Sequence, residues 1–224
     1  SVIAFLANVF IAPTWVHEQF NLYLLRMMEA NKSYFRDVAA TFTGEQVDII
    51  QYKYSRKMAY VELANTTDAL NRMLAEPRRK QKNPAEFHQF VVLNYMMASH
   101  IATLASYARS GTPFPVDRDY LPVLNAVLSN LSKAGSLLQG NTDKTHTAQK
   151  AEQSEPAEGS TAKEGLRKMN DRVSAMLVKR RAELEQGIQD SPTRRQLTLV
   201  KSINDQFNFI TKISEDLLKV VAKW

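Results

Sequence analysis

The sequence predicts an all-α protein, an elongated antiparallel bundle of about six long helices. Three observations carry this. Apolar residues recur at spacings of three and four over stretches much longer than a strand. The 7 Gly and 8 Pro fall mostly between those stretches, which argues against a β-sandwich and against Gly-rich phosphate loops. The 224 residues are 44% hydrophobic and 23% charged, enough for one large domain or two small ones and too apolar for a disordered chain.

The first run, residues 2–12, reads VIAFLANVFIA, with Asn8 as its one polar member and no charge. It is shorter than the roughly 20 apolar residues a bilayer crossing needs, and it lacks the basic start of a signal peptide. Two readings stand: a buried core helix, or the last turns of a transmembrane helix that begins before Ser1. Trp15, with polar His17 and Glu18 after it, suits a membrane exit and is the candidate interface anchor, because an indole settles at headgroup level.

Thr14 caps a helix to about Phe42, with Phe20, Leu24, Met27, Tyr34 and Val38 on its apolar face and Gly44 beyond its end. Val47, Ile50, Tyr54, Met58 and Val61 open a second helix, which Pro77 stops by disfavouring helix at Glu76. A third follows Pro84, with Phe87, Phe90, Asn94, Met97, Ile101 and Leu104 on one face, and ends before Gly111, Pro113 and Pro115. Leu121, Leu124, Leu128, Leu131 and Leu138 form the seam of a fourth. Residues 140–165 contain no large aliphatic or aromatic side chain and read as a flexible linker, since they bury too little to offset their ordering entropy. Leu166, Met169, Val173, Met176 and Leu184 mark a fifth helix. Ser191 caps a sixth, with Pro192 at its first position and Val200, Ile203, Phe207, Ile210, Leu217 and Val221 along it. The expected organisation is a transmembrane remnant at 1–15, a four-helix bundle at 16–139, a linker at 140–165 and a C-terminal helical hairpin at 166–224. The seams holding Leu128 and Phe207 are the expected self-association surfaces.

Chemical motifs are sparse. With no cysteine the chain has no disulfide, no thiolate metal site and no thiol nucleophile. Glu18 is followed by Gln19, Phe20 and Asn21, so His17 opens no His-Glu-x-x-His pair. His88 and His100 lie twelve residues apart, about 18 Å along a helix, too far to share one ion. A polar contact with a neighbouring helix or with a partner is the expectation for each. Phosphate-loop, dinucleotide and nucleophile-elbow signatures are all missing. The sequence therefore predicts no enzyme, no catalytic or metal residues and no cofactor.

The excess of 29 Lys and Arg over 23 Asp and Glu, a net charge of +6, suits an anionic partner without choosing one. Its densest cluster is Arg78, Arg79, Lys80 and Lys82, in the connection after Pro77. These are candidate contacts for an anion or a lipid headgroup, and the alternative to them is a solvated turn. No aromatic residue is interleaved for base stacking, so nucleic acid is not the expected partner; the alternative function is a peripheral helical adaptor that binds anionic lipid or nucleic acid through this loop. Lys179, Arg180 and Arg181 read as a solvated helix face. Tyr23, Met27, Met28, Tyr34, Tyr54, Met58, Tyr60, Tyr95, Met96 and Met97 read mostly as core, with a ligand pocket as the lesser reading.

Several blocks resemble a known family. SVIAFLANVFIAPTW at 1–15 looks like the end of the last transmembrane helix of FUSC-type (fusaric acid resistance, YccS-like) bacterial inner-membrane proteins. EANKSY at 29–34, RKMAYVELAN at 56–65, RMLAEPRRKQK at 72–82 and HQFVVLN at 88–94 are similar to that family's cytoplasmic helices. The resemblance covers roughly residues 1–110; beyond it only the helical pattern matches. It implies a cytoplasmic helical domain of an inner-membrane protein that exports aromatic or organic acids, attached to the membrane through the N-terminal segment and homo-oligomeric. No complete span is present, so no translocating residue carries over, and the domain itself is expected to act in assembly or regulation.

Overall fold

A computed structural model describes residues 13–78, 81, 83–109, 116–142 and 157–224, without the side chains of 13–19, 141–142 and 157–162. These residues form six α-helices and no strand: α1 Pro13–Thr43, α2 Ile49–Ala75, α3 Pro84–Arg109, α4 Tyr120–Thr142, α5 Ala157–Glu185 and α6 Pro192–Val221. The all-α bundle is as the periodicity predicts.

Local sequence sets the helix ends. Gly44, at φ +84°, closes α1, and Glu45 N–H reaches back to the Ala40 carbonyl at 3.0 Å, the pattern of a left-handed C-terminal cap. A Cβ there would lie 2.8 Å from Val116 Cγ1, so glycine also admits the α3–α4 connection. Asp48 caps α2, its Oδ1 accepting from Ile50 N–H at 2.8 Å. Glu76, held extended before Pro77, ends it. Ser191 caps α6, with Pro192 next, as its sequence announces.

Two corrections concern boundaries. α1 starts at Pro13, so Thr14 lies inside the helix rather than capping it; residues 1–12, and with them most of the expected transmembrane remnant, lie outside the described residues. Trp15 falls in the first turn of α1, its side chain outside the description. Parts of the expected linker are helical: α4 runs to Thr142 and α5 begins at Ala157, while 143–156 lie outside the described residues. The segment after Pro156 is rich in Ala, Glu and Lys, which favour helix. It docks through a glycine rather than a large side chain. A Cβ on Gly165 would sit 3.1 Å from Val123 Cγ2 and 3.3 Å from the Asp119 carbonyl.

The chain forms two successive up-down-up units. α1, α2 and α3 pack on one another, as do α4, α5 and α6, and the units join where α1 meets α4 and α3 meets α6. The four central helices are thus α1, α3, α4 and α6, with α2 and α5 flanking. The helices of the expected bundle at 16–139 and of the expected hairpin at 166–224 contribute to one core. Phe207 of α6 stacks on Tyr120 at 4.8 Å between ring centres and meets Phe42 edge-on at 5.7 Å. At the other end Phe20, Phe87, Phe90 and Trp224 cluster.

Three buried amides and the half-buried Asn130 pin the register. Asn31 Nδ2 donates to Asn94 Oδ1 at 2.9 Å, and Asn94 Nδ2 to the Phe90 carbonyl. Asn204 Nδ2 donates to the Met169 carbonyl at 2.9 Å, and Asn130 to Ser214 Oγ at 3.1 Å. A slip of one residue would strand these groups without partners, at about 1–3 kcal/mol each.

Candidate functional site

The basic cluster is described only in part. Arg78 is exposed just beyond α2; Arg79, Lys80 and Lys82 lie outside the described residues. Between them Gln81 folds back, its Nε2 donating to the Leu74 and Glu76 carbonyls at 3.0 and 2.7 Å, which satisfies the last carbonyls of α2.

In the second basic set, Lys179 and Arg181 are exposed as expected, but Arg180 is not a solvated charge. Its guanidinium donates to the Ile188 and Gln189 carbonyls at 3.0 and 2.5 Å and pairs with Glu183 at 3.3 Å. Glu183 in turn accepts from the hydroxyls of Ser191 and Thr193, each at 2.5 Å. Those two hydroxyls, then Arg180, hold its carboxyl below the ordinary range. This clamp ties the end of α5 to the start of α6. The base of the same hairpin is tied to the entry of α4 by ion pairs from Arg172 to Asp117 and Lys168 to Asp119.

His100 meets the neighbouring helix, as its position predicts: its Nδ1 lies 2.8 Å from Gln206 Oε1, and its ring stacks on Phe209 at 4.9 Å. His88 is exposed three turns away. Among the described residues no group of three or more His, Asp or Glu is placed to hold a metal ion. Two buried phenols stand out electrostatically. Burial, then Tyr52 and Tyr60, pushes the Tyr34 hydroxyl far up; burial pushes Tyr120 up to about 12, its hydroxyl donating to Asn204 Oδ1 at 3.3 Å. Both phenols are neutral near neutral pH, and neither is suited to nucleophilic attack; the Tyr34 hydroxyl is buried without a hydrogen-bond partner among the described residues.

Of the Tyr and Met residues read as core, Met27, Met28, Tyr34 and Met97 are buried, whereas Tyr54, Tyr60, Tyr95 and Met96 are exposed. The apolar seam expected on α2 faces outward. Ile50 is 78% and Tyr54 59% exposed, while α2 buries the small residues Ser55, Ala59, Thr66 and Ala69 together with Leu63, Leu70 and Met73. Small side chains let α2 lie close against α1 and α3, which displaces the bulkier stripe. A cleft of about 400 Å³ remains where α2 begins, bordered by Val38, Tyr52, Lys53, Ala108 and Arg109, with the Arg109 guanidinium 5.9 Å over the Tyr52 ring.

The surfaces expected for self-association are occupied. Phe207 is fully buried and Leu128 packs against the core, so both hold this chain's own bundle together. Among the described residues, the outward side of α3 presents an uncharged surface. Val92, Tyr95 and Met96 are exposed there, beside a groove of about 340 Å³ that Ser99, Ala102, Thr103 and Ser106 share with Tyr60 of α2. No helix among the described residues is long and apolar enough to cross a membrane. Comparison with protein-family profiles, with curated proteins and with solved structures finds no match.

Proposed function

We propose that this chain is the cytoplasmic helical domain of a FUSC-type bacterial inner-membrane protein, a parent that exports aromatic or organic acids, and that the domain assembles subunits beneath the membrane rather than catalysing a reaction. The exposed, uncharged side of α3 carries the assembly part of this reading. A helix face that leaves Tyr95 63% exposed with apolar neighbours and no charge is built to be covered. The membrane part rests on the uncharged run at 2–12 that leads into α1 and on the blocks that resemble the family.

The test is the coding sequence upstream of Ser1, translated and scanned with a 19-residue hydropathy window. The proposal expects further apolar spans, the last running straight into Val2. A start codon at Ser1 would overturn the membrane parent.

A further inference from the structure

From residue 87 to residue 108, α3 contains no Asp, Glu, Lys or Arg. Two other helices supply a contrast within the same chain: α1 places Arg26, Glu29 and Arg36 on exposed positions, and α6 places Lys201, Asp205 and Lys212 there, whereas α4 carries one charge, Lys133. Charges on the outward side of α3 would cost this bundle nothing, because its core uses the opposite side, through Phe90, Asn94, Met97, Ile101 and Leu104. The absence of charge therefore answers to something outside the single chain.

The order of the outward residues identifies the occupant. Counting back from Ser99 by three, four and seven positions gives Met96, Tyr95 and Val92; counting forward by the same steps gives Ala102, Thr103 and Ser106. These steps keep residues on one helix face. A two-fold axis through Ser99, perpendicular to α3, thus lays each large residue of one copy on a small residue of the other: Met96 on Ala102, Tyr95 on Thr103 and Val92 on Ser106, every contact made twice. The groove beside Tyr60 is where the second copy's Tyr95 would seat. An isologous interface requires a patch that complements itself under such a rotation, and a surface without charge meets its own copy without repulsion.

We propose that the outward face of α3 binds a second copy of this chain, antiparallel about Ser99. The biological setting of this pairing rests on the assembly reading above; the surface rests on the geometry. The uncharged span of α3 is about 30 Å long, and the adjoining sides of α2 and α6, which carry charged residues of their own, lie about 8–10 Å to either side and bring the covered width to about 20 Å. Roughly 600 Å² per copy, about 1,200 Å² in all, reaches the lower end of specific interfaces, so the pairing is expected in the micromolar range.

The experiment is light scattering of the 224-residue chain over concentrations up to about 0.5 mM, on either side of the expected dissociation constant. Ser99 is exposed, so Ser99→Asp leaves the helix folded, which circular dichroism checks, while setting two carboxylates against each other at the axis. The unaltered chain is expected to move from 25.4 kDa to twice that mass. S99D weakens pairing about a hundredfold or more, and an equimolar mixture of S99D and S99K chains regains the double mass. A single mass for the unaltered chain throughout, an S99D variant that still doubles, or a mixture that stays single would each overturn the proposal. So would a single-mass chain that binds neutral lipid vesicles and loses that binding in S99D, which would assign the face to lipid. None of these outcomes bears on the upstream coding sequence, so the two readings fail separately.

Discussion

Replacing Phe207 by Ala decides whether α6 is part of the core or an accessory hairpin. The Phe207 side chain is fully buried. Its ring stacks on Tyr120 with 24° between planes and meets Phe42 and Phe35 edge-on, at 5.7 and 6.2 Å between centres. Phe→Ala in a packed core costs about 3–5 kcal/mol through lost transfer energy and the cavity left behind. Three aromatic neighbours, each pair worth about 0.5–1.5 kcal/mol beyond burial, place this site in the upper part of that range. Against a total stability of about 5–15 kcal/mol, the urea midpoint should fall sharply with an unchanged slope. At about 2–4 °C per kcal/mol, the melting temperature should drop by about 6–20 °C. The assay is helicity at 222 nm at one low protein concentration, because association would add its own stabilisation. Tyr95→Ala, at an exposed site, should stay within about 0.5 kcal/mol. A loss below about 1.5 kcal/mol for F207A, well under the core range, or unfolding in two steps, would refute a shared core.

Asn94→Leu removes the shorter of the two acceptors of Asn31 Nδ2, Asn94 Oδ1 at 2.9 Å, and leaves it only the residue 94 carbonyl at 3.3 Å; a loss of about 1–3 kcal/mol is expected, with part of it recovered in the Asn31→Leu, Asn94→Leu double variant. A single variant as stable as the parent would show that the pair does not fix register. Glu183 gives a pH dependence with a defined sign. Its folded pKa is depressed by Ser191, Thr193 and Arg180, so its contribution is full above the unfolded carboxylate value, about 4.3, and is lost as pH falls through the folded value. The unaltered chain should therefore lose more thermal stability than E183Q between about pH 5 and pH 3; equal slopes would remove the clamp's contribution.

What could be read from the sequence was whatever depends on local chemistry. Gly44, Pro77, Ser191 and Pro192 act within one turn of themselves, and the structure places the helix ends where these residues predict. What could not be read depends on which helix lies opposite. A rule that buries the first large apolar residues gives α2 the face of Ile50 and Tyr54; the helix instead turns inward a mixed face, where Ala59, Thr66 and Ala69 recur at helical spacing and permit close approach beside Leu63, Leu70 and Met73. Gly165 is the same case, a docking point invisible to a search for large side chains. Arg180 was legible in principle, since Glu183 lies one turn on and Ser191 and Thr193 flank the next helix start, but only a tight hairpin brings them together. The inward seams of Leu128 and Phe207 show the limit from the other side: a strong apolar seam marks burial without saying whether its partner is the same chain or another.

The orientation of the pairing has a consequence for any membrane parent. Asn31 meets Asn94 and Phe20 meets Phe87, so α1 and α3 run parallel, and antiparallel α3 helices send the two α1 helices in opposite directions. The Pro13 ends then stand roughly 60 Å apart at equal depth along the two-fold axis, counting about 1.5 Å per residue from the level of Ser99. With that axis along the membrane normal, both bundles lie flat beneath the bilayer. An axis parallel to α3 would stand them upright and bring Val92 onto its own copy. The chain has no cysteine, so introduced thiols report without background. A disulfide needs Cα atoms within about 7 Å. Chains carrying Val92→Cys mixed with chains carrying Ser106→Cys should cross-link to each other on mild oxidation, and chains carrying V92C alone should not. Efficient self-linking of V92C would refute the antiparallel arrangement and set the bundles upright.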